Sequence, residues 1–319
     1  MTGRLADPPL AEGHTEESAG KLADGFEDKA AVKAAPGPRL TRRRFLLGST
    51  AAAAGLALYS GEIARHEISV VTRPIAIDNL PGAFQGFRIV QLSDIHYDEY
   101  TEPSFVARVI GRINALAPDL VLLTGDYISF GPLPRAFTMG AMERCADALR
   151  HIACAQRFGV MGNHDSVLGA PTIRPILAEV DIPLLVNEFV PIERAGERLW
   201  LSGIHDPVTH VPNLHTAIPE RPDGPVLLMS HAPDYADTVV THPRGRFVDL
   251  MITGHTHGGQ VRFPFVGPMH LPSGGRKYVE GLFRFERMQL YVNRGIGTTG
   301  LPFRLNCPPE ITLFILQRA

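Results

Sequence analysis

The chain has 319 residues, 45% of them hydrophobic and 20% charged, enough apolar material for a sizeable core and too much for a disordered chain. A formal net charge of −2 gives no electrostatic basis for nucleic-acid binding and favours a small-molecule or lipid ligand. Three cysteines, Cys145, Cys154 and Cys307, without CxxC spacing, support neither a disulfide framework nor a zinc–thiolate cluster and read as small core residues.

Residues 1–40 are rich in Ala, Gly, Pro, Glu and Asp, contain one aromatic residue, and have no period that would bury a face; they read as disordered. Residues 41–65 follow with "TRRRFLLGSTAAAAGLALYSG", three arginines and then no charge before Glu62. Thr41, Arg42, Arg43, Phe45 and Leu46 resemble a twin-arginine export signal. The apolar run is shorter than the roughly 20 residues of a spanning helix. It lacks a clean A-x-A cleavage site, so the expectation is export by the twin-arginine machinery across the cytoplasmic membrane, with the segment retained as a membrane anchor.

Residues 66–319 read as alternating strands and helices. "FRIVQLSD" is a buried strand with a polar exit, and a helix follows with Phe105, Val106, Val109, Ile110, Ile113 and Leu116 on one face and Pro103 in its first turn. "DLVLLTGD" is a second such strand, then a helix over Thr138 to Ile152, then a third strand in "RFGVMGNHD". "FVPIERAGERLWLSGIHD" reads as a hairpin, "GPVLLMSHAPD" and "FVDLMITGHTHGG" as buried strands with polar exits, and the last segments as antiparallel strands. The sum is an α/β fold, two sheets sandwiched between helices.

Five buried strands therefore end in "SDIH", "TGD", "GNHD", "SHAPD" and "TGHTH". Ligands of α/β sheets bind beyond the carboxyl ends of strands, so the five exits are expected to converge. They bring Asp94, His96, Asp126, Asn163, His164, His231, His255 and His257, an oxygen and imidazole donor set without thiolate. Residues two apart on an extended segment face the same way, so "DIH" and "HTH" can each grip an ion. Any one of these clusters alone is more often a cap or a surface pair; the set of five is a specific motif.

As a set, the pattern D-x-H, GD, GNH[DE], H, GHxH over about Phe87 to Gly259 resembles the calcineurin-like metallophosphoesterases, and "HGGQVRFPFVGP" with the C-terminal segment is similar to the bacterial membrane-associated, twin-arginine-exported phosphodiesterase branch, related to UDP-2,3-diacylglucosamine hydrolases. The resemblance implies a four-layer α-β-β-α sandwich of two mixed sheets. It implies two divalent transition-metal ions, Mn, Fe, Zn or Ni: one held by Asp94, His96, Asp126 and His257, the other by Asp126, Asn163, His231 and His255. His164 would donate a proton to the leaving oxygen or stabilise transition-state charge. Two such cations make water nucleophilic near neutral pH and clamp the attacking and leaving oxygens. The chain departs from the protein Ser/Thr phosphatases, with "GDYISFGPLPR" where they carry GDxVDRG, and so loses the acidic residue that orients their catalytic His. Asp165 is a substitute only by adjacency.

The implied activity is phosphoester, most readily phosphodiester, hydrolysis by attack of a hydroxide shared between the ions. The alternatives are hydrolysis of a phospholipid or of the pyrophosphate of UDP-2,3-diacylglucosamine, and an inactive scaffold, which would be expected to have lost ligands that are all present here. Arg276, Lys277 and Arg294 are candidates for contacting the substrate phosphate, although single basic residues are usually solvated surface. His205 and Asp206 end another strand and could reach the site, whereas His210, His215, His242 and His270 lack partner spacing and read as structural or exposed. Phe263, Phe265, Val266, Met269, Leu301 and Phe303 form apolar loops that suit either a satellite core or a lipid.

Overall fold

The computed structural model describes residues 41–97, 100–129, 131 and 134–319; the expected disordered segment 1–40 lies outside the described residues. In chain order the elements are α1 (Arg42–Leu58), β1 (Ser69–Ile77), β2 (Arg88–Leu92), α2 (Pro103–Ala115), β3 (Leu120–Leu123), α3 (Arg135–Leu149), β4 (Arg157–Gly159), α4 (Ala170–Ala178), β5 (Glu188–Arg194), β6 (Glu197–Gly203), α5 (Leu214–Ala217), β7 (Val226–Met229), α6 (Ala236–Thr241), β8 (Val248–Thr253), β9 (Arg262–Phe263), β10 (Gly267–Pro268), β11 (Gly281–Arg284), β12 (Gln289–Val292) and β13 (Glu310–Arg318). Ser49–Ala319 form one compact unit, and Thr41–Gly48 carry the first turns of α1. No side chain of α1 is buried, and among the described residues no helix is long and apolar enough to cross a membrane.

Two mixed sheets make the frame. One has the order β1-β13-β2-β3-β4 and the other β11-β12-β8-β7-β6-β5, with β9 and β10 as a separate small hairpin. Strands β2, β3 and β4 run parallel, as do β6, β7, β8 and β12, so within each sheet the exits expected to carry donors leave from one edge. Fully buried runs such as "LVLL" in β3 and "VDLMIT" in β8 have the apolar composition of strands covered on both faces.

Three apolar layers follow from that arrangement. Ile89, Leu122, Phe314 and Leu316 of the first sheet meet Leu201, Leu227, Leu250 and Tyr291 of the second between the sheets. The outer face of the first sheet packs on α2, α3 and α4, through Val109, Met142, Cys145 and Leu177 among others. That of the second packs on α5 and α6, through Leu214, Ala217 and Val239. This is the four-layer α-β-β-α sandwich that the family resemblance implies. Helix α2 begins with Pro103 at its start, where the missing N–H costs nothing, and buries the apolar face read from its periodicity.

Some details differ from expectation. Helix α3 starts three residues earlier and ends at Leu149, leaving Ile152 buried beyond its end. Helix α4, with Pro175 inside it, was not anticipated because an internal proline argues against a helix. The final segments are not uniformly antiparallel: β12 is antiparallel to β11 but parallel to β8, and β13 is antiparallel to β2 but parallel to β1. Composition records that these are strands; the partner decides their direction.

Phe314 is fully buried between the sheets, its ring 5.0 Å from that of Tyr291 in perpendicular contact. Truncation by Phe314→Ala is expected to cost about 3–5 kcal/mol, read as a lower urea midpoint, because the void sits where both sheets meet.

Candidate metal centre

The strand exits do converge, and the backbone bends unusually to make them do so. Asp94, His96, Asp126, His255 and His257 all have left-handed backbone, with φ of 51°, 47°, 54°, 73° and 50°. Such conformations are uncommon outside glycine, are tolerated best by Asp, Asn and His, and persist only where surrounding structure enforces them. Main-chain bonds provide the enforcement: Asp94 N–H donates to the Gly125 carbonyl, His96 N–H to that of Asp126, and Gly254 N–H to that of His231, each at 3.0 Å. A carboxylate joins in, since Asp94 accepts from His255 N–H at 3.0 Å. Across the sheets, the buried Gln91 amide donates to the Thr253 carbonyl at 2.8 Å and the Thr124 hydroxyl at 2.9 Å.

Glycine is required where chain meets ligand. A β-carbon on Gly162 would lie 2.1 Å from Asp126 Oδ1, and one on Gly254 would lie 2.3 Å from Asp94 Oδ2. Neither distance is compatible with any side chain.

The side chains form three overlapping donor groups: Asp94, His96 and His257; His96, Asp126 and His164; and Asp126, His231 and His255, the ligating atoms of each lying within 4.8 Å of one another. Asp126 is shared by the last two. Its Oδ2 is 3.1 Å from His231 Nε2 and 3.6 Å from His96 Nε2, while His257 Nε2 is 3.4 Å from Asp94 Oδ1. Asn163 Oδ1 is 3.2 Å from His231 Nε2. All seven residues expected to be ligands are therefore brought together.

The far nitrogens of the rings show which atoms face the centre. His231 Nδ1 donates to the Thr124 carbonyl at 2.8 Å, and His255 Nε2 to that of Ser273 at 2.8 Å. Each neutral ring consequently has its lone pair on the other nitrogen, and these two, His231 Nε2 and His255 Nδ1, are 3.1 Å apart. Two lone pairs at that distance require a proton or a cation between or beside them. His96 Nδ1 is likewise engaged, 3.1 Å from Ser129 Oγ. A buried set of imidazoles and carboxylates, their second nitrogens held by backbone or hydroxyl groups, fits a divalent transition metal.

Electrostatics point the same way. Burial holds His96, His255 and His257 below the usual imidazole range, which keeps them neutral, the ligating form. Burial also lowers His231, but the Asp126 carboxylate more than reverses this and draws it well above that range. Burial raises Asp126, and His231 more than offsets it, leaving the carboxyl well below its usual range. The Asp126 carboxylate thus favours positive charge at His231, which a proton or a metal can supply.

Other contributors were invisible or only half visible in the sequence. Asp165 does not orient the His164 ring through its own carboxylate: that group accepts from the amides of Asp126 and Gly162 at 2.8 Å and Tyr127 at 2.9 Å. Burial and the neighbouring Asp126 push it up to about 8. It ties the "TGD" and "GNHD" turns together. His164 N–H donates to Asp126 Oδ1 at 2.9 Å and its ring meets that of His96 edge-on, centroids 4.8 Å apart. Arg304 is fully buried and donates to the carbonyls of Arg294, Gly295, Gly297 and Cys307, fixing the loop beside Asp94.

A cavity of about 470 Å³ opens on Asp126, Asn163, His164, His255 and His257. Arg276, Lys277 and Arg294, the expected phosphate contacts, do not line it. Lys277 pairs with Asp237 at 2.8 Å and Arg294 with Glu310 at 2.6 Å, while the Arg276 amide donates to Asp234. His205 and Asp206, which end a strand from which they could reach the site, are not among the described lining residues, and His205 stacks on His210 at 3.6 Å. His270, expected to be structural or exposed, is exposed and does line the cavity.

Residues 87–259 match the family model of the calcineurin-like phosphoesterases, more than half the chain. The chain belongs to that family. As a calcineurin-like phosphoesterase it is a metal-dependent phosphoric ester hydrolase. It is 31% identical to the metallophosphoesterase YkuE of Bacillus subtilis, over 88% of this chain and 98% of that one. It is 32% identical to the phosphodiesterase YaeI of Escherichia coli, over 87% and 99%. It is 26% identical to the UDP-2,3-diacylglucosamine pyrophosphatase LpxG of Chlamydia trachomatis, over 74% and 86%.

Because the Asp126 carboxylate draws His231 well above the usual imidazole range, metal uptake by the phosphoesterase should release a proton. Calorimetric titration of Mn or Zn in buffers of different ionisation enthalpy is expected to show net proton release near neutral pH. Affinity should weaken as pH falls below the raised His231 pKa, and equal apparent enthalpies in all buffers would contradict this account.

Proposed function

We propose that the protein is a dinuclear-metal phosphodiesterase, with one cation held by Asp94, His96, Asp126 and His257 and the other by Asp126, Asn163, His231 and His255. The observation that carries this reading is the pair of buried donor groups, one of Asp94, His96 and His257 and the other of Asp126, His231 and His255, linked through the contact of His96 with Asp126 and including five left-handed non-glycine residues. Bound there, the cations would supply Lewis acidity, polarising the phosphoryl oxygens and making water nucleophilic near neutral pH.

The protein's own groups do the rest. His164 stands on the cavity wall, its amide tied to Asp126, and is the residue assigned to deliver a proton to the leaving oxygen. The buried amide bonds of Asp165 hold the His164 turn against the Asp126 turn, so donor and ligand keep a fixed separation. Similarity to a protein named as a phosphodiesterase supports diester over monoester hydrolysis.

A second reading, cleavage of the UDP-2,3-diacylglucosamine pyrophosphate, is favoured by the similarity to LpxG. The proposed domain plan is a disordered segment 1–40, an export signal and anchor over 41–65, and the catalytic domain over 66–319. It places the activity outside the cytoplasmic membrane, and the nucleotide-sugar lipid is made inside, which favours the first reading.

With Mn, Fe, Zn or Ni loaded, bis(p-nitrophenyl) phosphate should be hydrolysed. His164→Ala should lower kcat by about 10²–10⁴ while metal content by elemental analysis stays at two per chain. Asp126→Ala should lose metal as well as activity. An inactive wild-type protein under every metal, or a His164→Ala variant that turns over normally, would refute the assignment. For the export proposal, fractionation of tagged full-length chain should place it outside the cytoplasm, and Arg42→Lys with Arg43→Lys should retain it inside; cytoplasmic wild-type protein counts against the signal.

A further inference from the structure

Away from the ion donors the cavity changes character. Another part of its wall includes Gln260, Val261, Met269, His270, Pro272 and Leu301, and no lysine, arginine or glutamate is among its lining residues that the structure describes. The carboxamide of Gln260 is already committed: it donates to the carbonyls of Thr299 at 3.1 Å and Leu301 at 2.9 Å and accepts from the Thr299 amide at 2.9 Å. The wall is therefore preformed, two segments stapled together by the residue that ends "GHTHGGQ". Cations close to it in sequence are paired elsewhere, Arg262 with Glu280 and Arg294 with Glu310. Met269 and Leu301 stand at 68% and 63% exposure, large apolar side chains at the cavity with water over them.

The cavity thus combines the clustered donors Asp126, His164, His255 and His257 with a wall whose side chains, His270 and Gln260 apart, are hydrocarbon. A nucleoside diphosphate would bring a second phosphate and base edges to a wall whose described side chains include no lysine or arginine to meet them. An uncharged hydrocarbon substituent would gain by leaving water, by about fourfold in affinity for each methylene fully buried. At about 470 Å³ the space falls within the roughly 300–1,000 Å³ typical of small-ligand sites.

We propose that this wall is a subsite for an apolar ester group, so that the substrate class is an amphiphilic phosphodiester, its phosphate at the Asp126 end and its hydrocarbon against Val261, Met269 and Leu301. The inference rests on the phosphodiesterase reading given above. In the reaction the oxygen of water bonds to phosphorus, the bond from phosphorus to the departing alcohol oxygen breaks with its electron pair, and that oxygen takes up a proton. The apolar group remains on the phosphomonoester product.

The test uses the full-length, Mn-loaded protein and methyl, butyl and octyl p-nitrophenyl phosphates, kept below their micellar concentrations. Expected is a kcat/KM at least about thirtyfold higher for octyl than for methyl. Calorimetry should show octylphosphonate binding at least about tenfold tighter than ethylphosphonate. Leu301→Glu and Met269→Glu should bring both ratios toward one. Turnover of the methyl ester with no dependence on chain length overturns the subsite and leaves the phosphodiesterase reading standing, as does faster cleavage of a nucleoside diphosphate ester than of the octyl ester. No turnover of any ester with Mn, Fe, Zn or Ni overturns both.

Discussion

Facing lone pairs set the terms for this structure. His231 and His255 each give one ring nitrogen to a backbone carbonyl and so must present the other, unprotonated when neutral, to its neighbour 3.1 Å away. With Asp94, Asp126, His96 and His257 packed into the same buried space, the cluster concentrates acceptors and leaves water little room to relieve them. A protein can hold such a cluster only by fixing every member rigidly and by admitting positive charge, as a proton or as a metal. The sandwich frame, the left-handed ligand residues and the Asp165 and Arg304 hydrogen bonds all serve that demand.

Rigidity comes from joining pieces remote in sequence. The ligands leave from two sheets, and Gln91 ties the sheets directly beneath them through Thr253 and Thr124. Asp165, one residue past His164, spends its carboxylate on four amides, those of Asp126, Tyr127, Ile128 and Gly162. Removal of such an acceptor would strand buried N–H groups, so these residues stabilise the fold and position the chemistry at once.

Much of this was legible beforehand because strand exits announce themselves: apolar runs end abruptly in Asp, His, Asn and Gly. The sandwich and the convergence of Asp94, Asp126, Asn163, His231 and His255 follow from that punctuation. Strand direction does not, since β13 has the same composition whether it runs with β1 or against β2. Helix α4 was hidden by Pro175, which a short helix packed on the sheet tolerates. Arg294 and Lys277 looked like phosphate contacts because sequence shows a basic residue but not its carboxylate partner, here Glu310 and Asp237. Arg304 and Ser129 carried no signal at all, for their roles depend on what the chain folds against them.

One contact near the chain's beginning has a mechanical meaning. The Ser60 carbonyl accepts from the Arg304 amide at 3.0 Å, and the adjacent Gly61 lies against the Phe303 ring so closely that an added β-carbon would sit 3.0 Å from it. Arg304 is three residues from Leu301 on the cavity wall and is itself locked by its guanidinium. Ser60 and Gly61 are thus clamped to the segment that also supplies Leu301 to the cavity wall, so that a change in either would be transmitted to that wall through the backbone.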